Sequence, residues 1–208
     1  MAAHARKPKP PNRAPDPTTV RGMNKLALNH AVAALRRGQL IAYPTEAVFG
    51  LGCDPAHDKA VRRLMEVKQR PSGAGLVLVV AEFAQVAPWL ATDAVSERTW
   101  QNIHHTWPGP VTWVIPASET APQRVCGPGT TLAVRVSAHP VVCALCKAFS
   151  SPIVSTSANH RGETPLRSAA QVRAAFHEHV EVVLDGGVGE NAAPCPIRDA
   201  VTGKTIRG

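Results

Sequence analysis

The sequence predicts an α/β or α+β layered domain built on a mixed β-sheet. Segments with a helical spacing of apolar residues alternate with short apolar runs of strand length, an alternation typical of helices packed on a sheet. The chain has 208 residues, of which 44% are hydrophobic and 18% charged. That length suits one domain with a substantial core, and that composition excludes a fully disordered chain.

The helices are predicted from apolar residues that recur every three or four positions. Residues 25–37 place Leu28, Val32 and Leu35 on one face, and Gly38 supplies a C-terminal stop. The other segments with helical spacing are 58–67, 83–105 in one or two pieces, 140–149 and 168–177.

The strands are predicted from short apolar runs. Residues 39–43 form the first strand, which Pro44 ends. Residues 75–81 read GLVLVVA, and so nearly continuous an apolar run indicates a strand covered on both faces. The remaining predicted strands are 111–116, 131–136, 152–155 and 181–184.

Residues 1–22 are predicted to be a flexible basic, proline-rich arm. Asp16 is their only acidic residue, and they contain too few large apolar residues to offset the entropy of ordering. Clustered positive charge attracts phosphate, so one interpretation is a tail that seeks RNA. A solvated extension without a role and an organellar transit peptide are the other interpretations.

The cysteine content and the lack of long apolar segments predict a reduced, cytoplasmic protein with no membrane partner. Five cysteines, an odd number, do not resemble a disulfide framework. No stretch approaches the ~18 uninterrupted apolar residues of a membrane span. The N-terminus also lacks the apolar core of a secretory signal.

Three polar loops suggest a site for a polyanion. They are Tyr43-Pro44-Thr45-Glu46, Lys68-Gln69-Arg70-Pro71 and Ser155-Thr156-Ser157-Ala158-Asn159. The two cations could neutralise adjacent phosphates, and the last loop could contact a nucleotide or a hydrated Mg²⁺. Each loop also has an ordinary explanation, because basic residues complement helix C-termini and Ser/Asn turns cap backbone groups.

Other motifs carry less information about function. The rigid turn at Trp107-Pro108-Gly109-Pro110 could position Thr112 at a site, although Trp107 is more typical of a core residue. Cys143 and Cys146 lie in an apolar helix and are expected to be buried hydrophobes, since a zinc site needs two more ligands. The sequence contains no G-x-S-x-G, H-E-x-x-H, P-loop or G-x-G-x-x-G pattern.

Six motifs in order carry a resemblance to a known family. They are 43–54 (YPTEAVFGLGCD), 68–71 (KQRP), 107–110 (WPGP), 133–136 (AVRV), 155–159 (STSAN) and 197–199 (IRD). With these motifs, residues 24–208 closely resemble the YrdC/Sua5 family, in particular its short bacterial form. The resemblance implies a YrdC-like catalytic domain over residues 23–208, with a twisted mixed sheet, flanking helices and a concave basic face.

The resemblance also implies a nucleotidyltransferase. Family members make L-threonylcarbamoyladenylate and pyrophosphate from L-threonine, bicarbonate and ATP, and Mg²⁺ is expected with the ATP. The product feeds N6-threonylcarbamoyladenosine synthesis at position 37 of tRNAs that read ANN codons, and TsaB, TsaD and TsaE complete the transfer in bacteria. This chemistry needs positioning and charge neutralisation and no protein nucleophile.

Matching positions imply the site residues. Lys68 and Arg70 would bind the phosphates and are the expected catalytic residues. Thr45 would contact threonine, and no protein ligand to the metal is assigned. The residues expected to line the ATP and threonine pockets are Thr112, Arg135, Ser155, Ser157, Asn159 and Arg198.

This sequence departs from the family pattern at two positions. Ala74 stands where many members have a third basic residue, and Cys195 replaces a serine hydroxyl by a weaker hydrogen-bonding group. Two other functions also stay open, on grounds separate from these departures. One is a non-catalytic RNA-binding YrdC-like protein that contacts tRNA or double-stranded RNA. The other is a carbamoyl-phosphate-linked enzyme, although the acylphosphatase and zinc-finger-like segments of such proteins are absent from this sequence.

Overall fold

A nine-stranded mixed sheet organises the part of the chain that the structure, a computed structural model, describes: residues 24–71, 75–190 and 194–207. The expected arm at 1–22 and Ala74 lie outside the described residues. The strands are β1 (Ile41–Pro44), β2 (Phe49–Cys53), β3 (Val77–Val80), β4 (Thr112–Pro116), β5 (Thr131–Val136), β6 (Ile153–Ser157), β7 (Val182–Val183), β8 (Ile197–Asp199) and β9 (Thr205–Arg207).

The sheet order is β7-β1-β2-β6-β3-β5-β4-β8-β9. The pairs β1–β7, β3–β5 and β4–β8 are parallel, and the other neighbouring pairs are antiparallel. Strands that are far apart in sequence therefore become neighbours, as β6 does between β2 and β3. The expected mixed sheet with flanking helices is confirmed.

Helices cover both faces of this sheet. They are α1 (Lys25–Arg36), α2 (Asp58–Val67), α3 (Glu97–Thr106), α4 (Pro140–Phe149) and α5 (Ala169–Phe176). Ile41 and Tyr43 pack with α1 and α4 in one core, whereas Leu40 and Ala42 belong to a second core with α2 and α5. This alternation follows from the two-residue period of a strand, and it explains why β1 is buried along its whole length.

Three strands were not expected from the sequence. β2 (FGLGC) contains two glycines, which weaken any strand signal, and β8 and β9 are each three residues long, too short to show a period. The segment 83–105 also differs from the expectation. It forms three 3₁₀ turns followed by α3. The helix begins only after Ser96, which caps it by accepting a hydrogen bond from the Thr99 amide.

No helix within the three described stretches combines the length and the apolar character that crossing a membrane requires.

Candidate active site

Side chains from both halves of the chain surround a cavity of about 570 Å³. Its arginines are Arg70, Arg135, Arg167 and Arg207, and its hydroxyls belong to Thr45, Thr131, Ser155, Thr156, Ser157 and Thr164. None of the described residues that line it carries a carboxylate. The cavity is therefore positive and rich in hydrogen-bond donors, which suits an anionic ligand.

The β2–β6 pair places two serine hydroxyls on the cavity wall. The antiparallel register sets Gly50 opposite Ser157 and Gly52 opposite Ser155. A Cβ atom at Gly50 would lie 3.1 Å from Ser155 Oγ, which is tighter than ordinary contact. Glycine on β2 thus leaves room for the hydroxyl side chains, and the GLG motif has a local physical reason.

Thr45 begins the tight turn between β1 and β2 and lines the cavity. Its backbone N–H and its hydroxyl both donate to the Val48 carbonyl, at 3.0 and 2.8 Å. With its proton used in this way, the Thr45 hydroxyl can offer a ligand only its acceptor lone pairs. It is therefore suited to receive a hydrogen bond from an amine.

Lys68 caps the C-terminus of α2 and reaches the loop after β6. Its Nζ donates to the Ser157 carbonyl at 2.8 Å, to the Asn159 side-chain carbonyl at 3.0 Å and to the Asn159 backbone carbonyl. These acceptors account for the three protons of the ammonium. Burial, and secondly the charge of Arg70, lowers the pKa of Lys68 to about 8.

Asn159 connects the rest of this loop to the same cluster. Its Oδ1 accepts from Ser157 Oγ at 2.6 Å, and its Nδ2 donates to the carbonyls of His160 and Glu163 at 2.8 and 2.9 Å. The expected proximity of the Lys68 and Ser157–Asn159 segments is present. In the described structure, however, Lys68 contacts the loop backbone, so its most direct effect is to hold the loop.

Arg70 stands between two adjoining cavities. It lines the first cavity and a second one of about 470 Å³, in which Lys68, Asn159 and Arg161 also take part. Its Nη1 makes a long contact of 3.5 Å to the Gly75 carbonyl. Burial, and secondly the charge of Arg207, lowers the pKa of Arg70. Two guanidinium groups that converge in this way favour an anion between them.

Arg135 forms a buried ion pair with the carboxylate of Glu46. Its Nη2 lies 3.4 Å from Glu46 Oε2, and each side chain is only 9% exposed. Ser137 Oγ donates to Glu46 Oε1 at 2.5 Å. Burial alone would raise the pKa of Glu46, but the Arg135 charge and the Ser137 hydrogen bond outweigh burial and lower it. Glu46 is therefore a carboxylate at neutral pH.

Of the nine expected site residues, five line the first cavity, Lys68 and Asn159 line the second, and two line neither. Thr112 is 1% exposed, behind the wall that Val114 forms further along β4. Arg198 lies over the Trp113 ring, 5.7 Å from its centroid. On β8 it is the neighbouring Ile197 that lines the cavity, and successive strand residues point to opposite faces, so Arg198 points away.

Sequence reasoning missed three charged residues of the site. Arg167 lines the cavity and donates to the Ala47 carbonyl, and Glu46 was quoted in a motif without a role. Arg207 lies opposite Ile197 because β9 pairs with β8. Arg207 belongs to no recognised motif, so only the strand pairing reveals it.

Comparison with known proteins identifies the family. The Sua5/YciO/YrdC family model, described as "Telomere recombination", matches residues 33–207. A Xanthomonas campestris pv. campestris protein named threonylcarbamoyl-AMP synthase is 49% identical over 180 residues, which cover 86% of this chain and 96% of that protein. A Vibrio vulnificus protein of the same name is 47% identical over 180 residues, which cover 86% of this chain and 97% of that protein.

Solved structures agree with this assignment. Sua5 of P. abyssi complexed with L-threonine is 33% identical and has a TM-score of 0.76, and the match covers 83% of this chain. It covers 50% of the Sua5 chain, so the present chain corresponds to about half of that protein. E. coli YciO, at 22% identity and a TM-score of 0.75, shares the fold over 89% of this chain and 92% of its own. The arginine-lined cavity with its Lys68-anchored loop therefore belongs to a member of the Sua5/YciO/YrdC family.

Proposed function

We propose that this chain makes threonylcarbamoyl-AMP and pyrophosphate from L-threonine, bicarbonate and ATP. The observation that carries the proposal is a cavity lined by arginines and hydroxyls, with no carboxylate among its described lining residues, in a chain that matches synthases along nearly their whole length. The named relatives are catalytic proteins, so they favour an enzyme over a non-catalytic RNA-binding protein.

The proposed reaction has two steps. The amine of threonine adds to carbon dioxide derived from bicarbonate and forms a carbamate. A carbamate oxygen then attacks the α-phosphorus of ATP, the bond to the β-phosphate oxygen breaks, and pyrophosphate leaves. Each step joins a nucleophile and an electrophile that the substrates themselves provide, so the protein has to orient them and offset their charge.

The described side chains suit these tasks. Arg70 and Arg207 can neutralise charge on the phosphates, and Arg135 presents a further guanidinium on the same wall. Thr45 can accept a hydrogen bond from the amine of threonine, because its own hydroxyl proton is already donated to the Val48 carbonyl. Lys68 and Asn159 hold the loop that carries Ser157, so the hydroxyl keeps one position.

Mg²⁺ would enter this site together with the nucleotide. The described lining side chains offer hydroxyls and no carboxylate, so the ion would be held by the substrate phosphates and by the waters that Mg²⁺ usually keeps. Within residues 24–71, 75–190 and 194–207 no cluster of three His, Cys, Asp or Glu side chains could hold a metal ion. The ion would supply charge neutralisation on the triphosphate.

The place of this reaction in the cell belongs to the same proposal. The product would be consumed in the cytoplasm by TsaB, TsaD and TsaE-type proteins, which transfer its threonylcarbamoyl group to adenosine 37 of ANN-reading tRNAs. Cys195 lies at the cavity wall. The departures from the family pattern at Cys195 and Ala74 leave Arg70, Arg135 and Arg207 in place.

Mass spectrometry tests the proposal directly. The purified protein is incubated with ATP, L-threonine, Mg²⁺ and ¹³C-bicarbonate, and the nucleotide product is analysed. We expect an adenylate of threonine that contains the label, and pyrophosphate release only when threonine is present. Pyrophosphate release that does not depend on threonine would refute the proposal. Salt-sensitive RNA binding without turnover would instead indicate the non-catalytic function.

A further inference from the structure

We propose that Glu46 is a positioning residue for the reaction, because it fixes the guanidinium of Arg135 in one orientation on the cavity wall. The inference deepens the proposed function and rests on it. The ligand group that Arg135 would meet is an oxyanion, either the carboxylate of threonine or a phosphate of ATP.

The first support is that the two charges are buried together. Glu46 Oε2 and Arg135 Nε have no hydrogen-bond partner among the described residues, although both atoms are shielded from solvent. Glu46 Oε2 is nevertheless the charged atom that lies 3.4 Å from Arg135 Nη2. A buried guanidinium with no counter-charge would carry a large desolvation cost, so Glu46 makes this location of Arg135 possible.

The second support is that Glu46 is itself rigidly held. The Ser137 hydroxyl donates to Glu46 Oε1 at 2.5 Å and accepts from the His139 amide at 3.1 Å. The ring of His139 is anchored in turn, since its Nε2 lies 3.1 Å from the Gly187 carbonyl. Glu46 is therefore fixed to the segment that follows β5, the strand on which Arg135 lies.

The third support is that Arg135 has hydrogen-bonding capacity left over. A guanidinium has five N–H donors. In the described part of the chain the side chain of Arg135 makes an ion pair with Glu46 and no hydrogen bond, yet it lines the cavity. Its free donors can form a two-point contact with a carboxylate or a phosphate, and such a contact depends on the angle of the guanidinium plane.

Two roles of Glu46 predict opposite effects of Glu46→Gln. If the carboxylate only neutralised Arg135, its removal would strengthen the binding of anions. If it positions Arg135, the guanidinium loses its orientation and binding of the oxyanion substrate weakens by about tenfold or more. Ser137→Ala, which removes the hydroxyl that holds Glu46, should weaken binding in the same direction by a smaller factor.

The experiment is calorimetric titration of the full chain with ATP and L-threonine separately, and with adenosine and L-threonine amide, which lack the oxyanions. We expect Glu46→Gln to weaken the binding of either ATP or L-threonine. The affinity for the matching compound without the oxyanion, adenosine or L-threonine amide, should stay the same. The arm that responds identifies which oxyanion Arg135 meets. The control is Glu82→Gln, the same substitution in an exposed ion pair with Lys147. Tighter or unchanged binding of both charged ligands would overturn the proposal.

A second measurement does not depend on substrates. The ¹⁵Nε–H signal of Arg135, assigned by its loss in Arg135→Lys, should exchange with water faster in Glu46→Gln and in Ser137→Ala than in the wild type. Equal exchange rates would also overturn the proposal. If the wild type releases no pyrophosphate, the proposed function fails while this signal still tests Glu46. If Glu46→Gln does not fold, Ser137→Ala supplies both measurements.

Discussion

The ammonium of Lys68 and the side-chain carbonyl of Asn159 lie 3.0 Å apart, and this hydrogen bond ties the end of α2 to the loop after β6. Because the same ammonium also donates to two backbone carbonyls of that loop, one side chain fixes both the backbone and the amide. Lys68 thereby fixes the geometry of the Ser157–Asn159 loop, although Lys68 itself is buried.

Lys68→Met should lower the rate of pyrophosphate release by about a hundredfold or more. Methionine keeps the unbranched apolar stem but leaves the carbonyls of Ser157 and Asn159 without a shared donor, so the loop loses its position. The rate is measured at saturating ATP and threonine. Lys147→Met, which alters an exposed lysine paired with Glu82 at 3.0 Å, is the matched control and should keep the wild-type rate. Wild-type activity in Lys68→Met would contradict the role assigned to this loop.

Raising the pH above about 8 should reduce the wild-type rate, because burial, and then Arg70, lowers the pKa of Lys68 to about 8. Above that pH the amine has lost its charge and one of its three donors. The residual activity of Lys68→Arg should show no such decline, since arginine stays charged. A wild-type profile that stays parallel to that of Lys68→Arg between pH 7 and 9.5 would exclude this explanation.

Raising the pH above about 8 should increase the contribution of Lys68 to the free energy of unfolding, although it lowers the rate. A lysine in the unfolded chain has a pKa of about 10.4. Between about pH 8 and that value the unfolded chain holds more protons than the folded chain, so the free energy of unfolding rises with pH. Urea unfolding of the wild type and of Lys68→Met at both ends of this range isolates the effect. The difference in unfolding free energy between the two proteins should change with pH in favour of the wild type.

Arg70→Gln should weaken ATP binding by about tenfold to a hundredfold, because it removes one of the cavity's four guanidinium groups, the one whose charge acts together with that of Arg207. Binding of threonine should change less. Titration calorimetry in the absence of turnover measures both affinities. Arg36→Gln, at an exposed position on α1, is the control. If ATP bound equally to Arg70→Gln and to the control, the phosphates would have to lie elsewhere.

Thr45→Val should weaken L-threonine binding by about tenfold, whereas Thr45→Ser should stay close to the wild type. Valine has nearly the shape of threonine but cannot accept a hydrogen bond from an amine. The Val48 carbonyl also loses its 2.8 Å donor, so Thr45→Ser, which retains the hydroxyl, separates the loss of polar contacts from the loss of the methyl group. ATP affinity serves as the internal reference and should be the same in all three proteins.

Five of the nine residues expected from the sequence line the larger cavity, whereas β8 and β9 at one edge of the sheet were not expected at all. Lys68, Arg70, Thr45 and Ser157 belong to short motifs whose chemistry can be recognised one loop at a time. Arg198 could not be placed in the same way, because a change of one position on a strand moves a side chain to the other face.

The contacts between distant segments were also beyond sequence reasoning. Arg207 faces the cavity only because β9 pairs with β8, and Glu46 gains its role only when the fold brings Arg135 and Ser137 to it. Tertiary packing, and not local propensity, determines both arrangements.

The strand order has a consequence for protein synthesis on the ribosome. The cavity draws its walls from Thr45, after β1, and from Arg207 in β9, so a fragment that stops before β9 contains no finished binding site. A nascent chain interrupted before β8 would lack Cys195, Ile197 and Arg207 and would leave one edge of β4 open to wrong partners. The emergence of β8 and β9 from the ribosome is thus required before the walls of this cavity are complete.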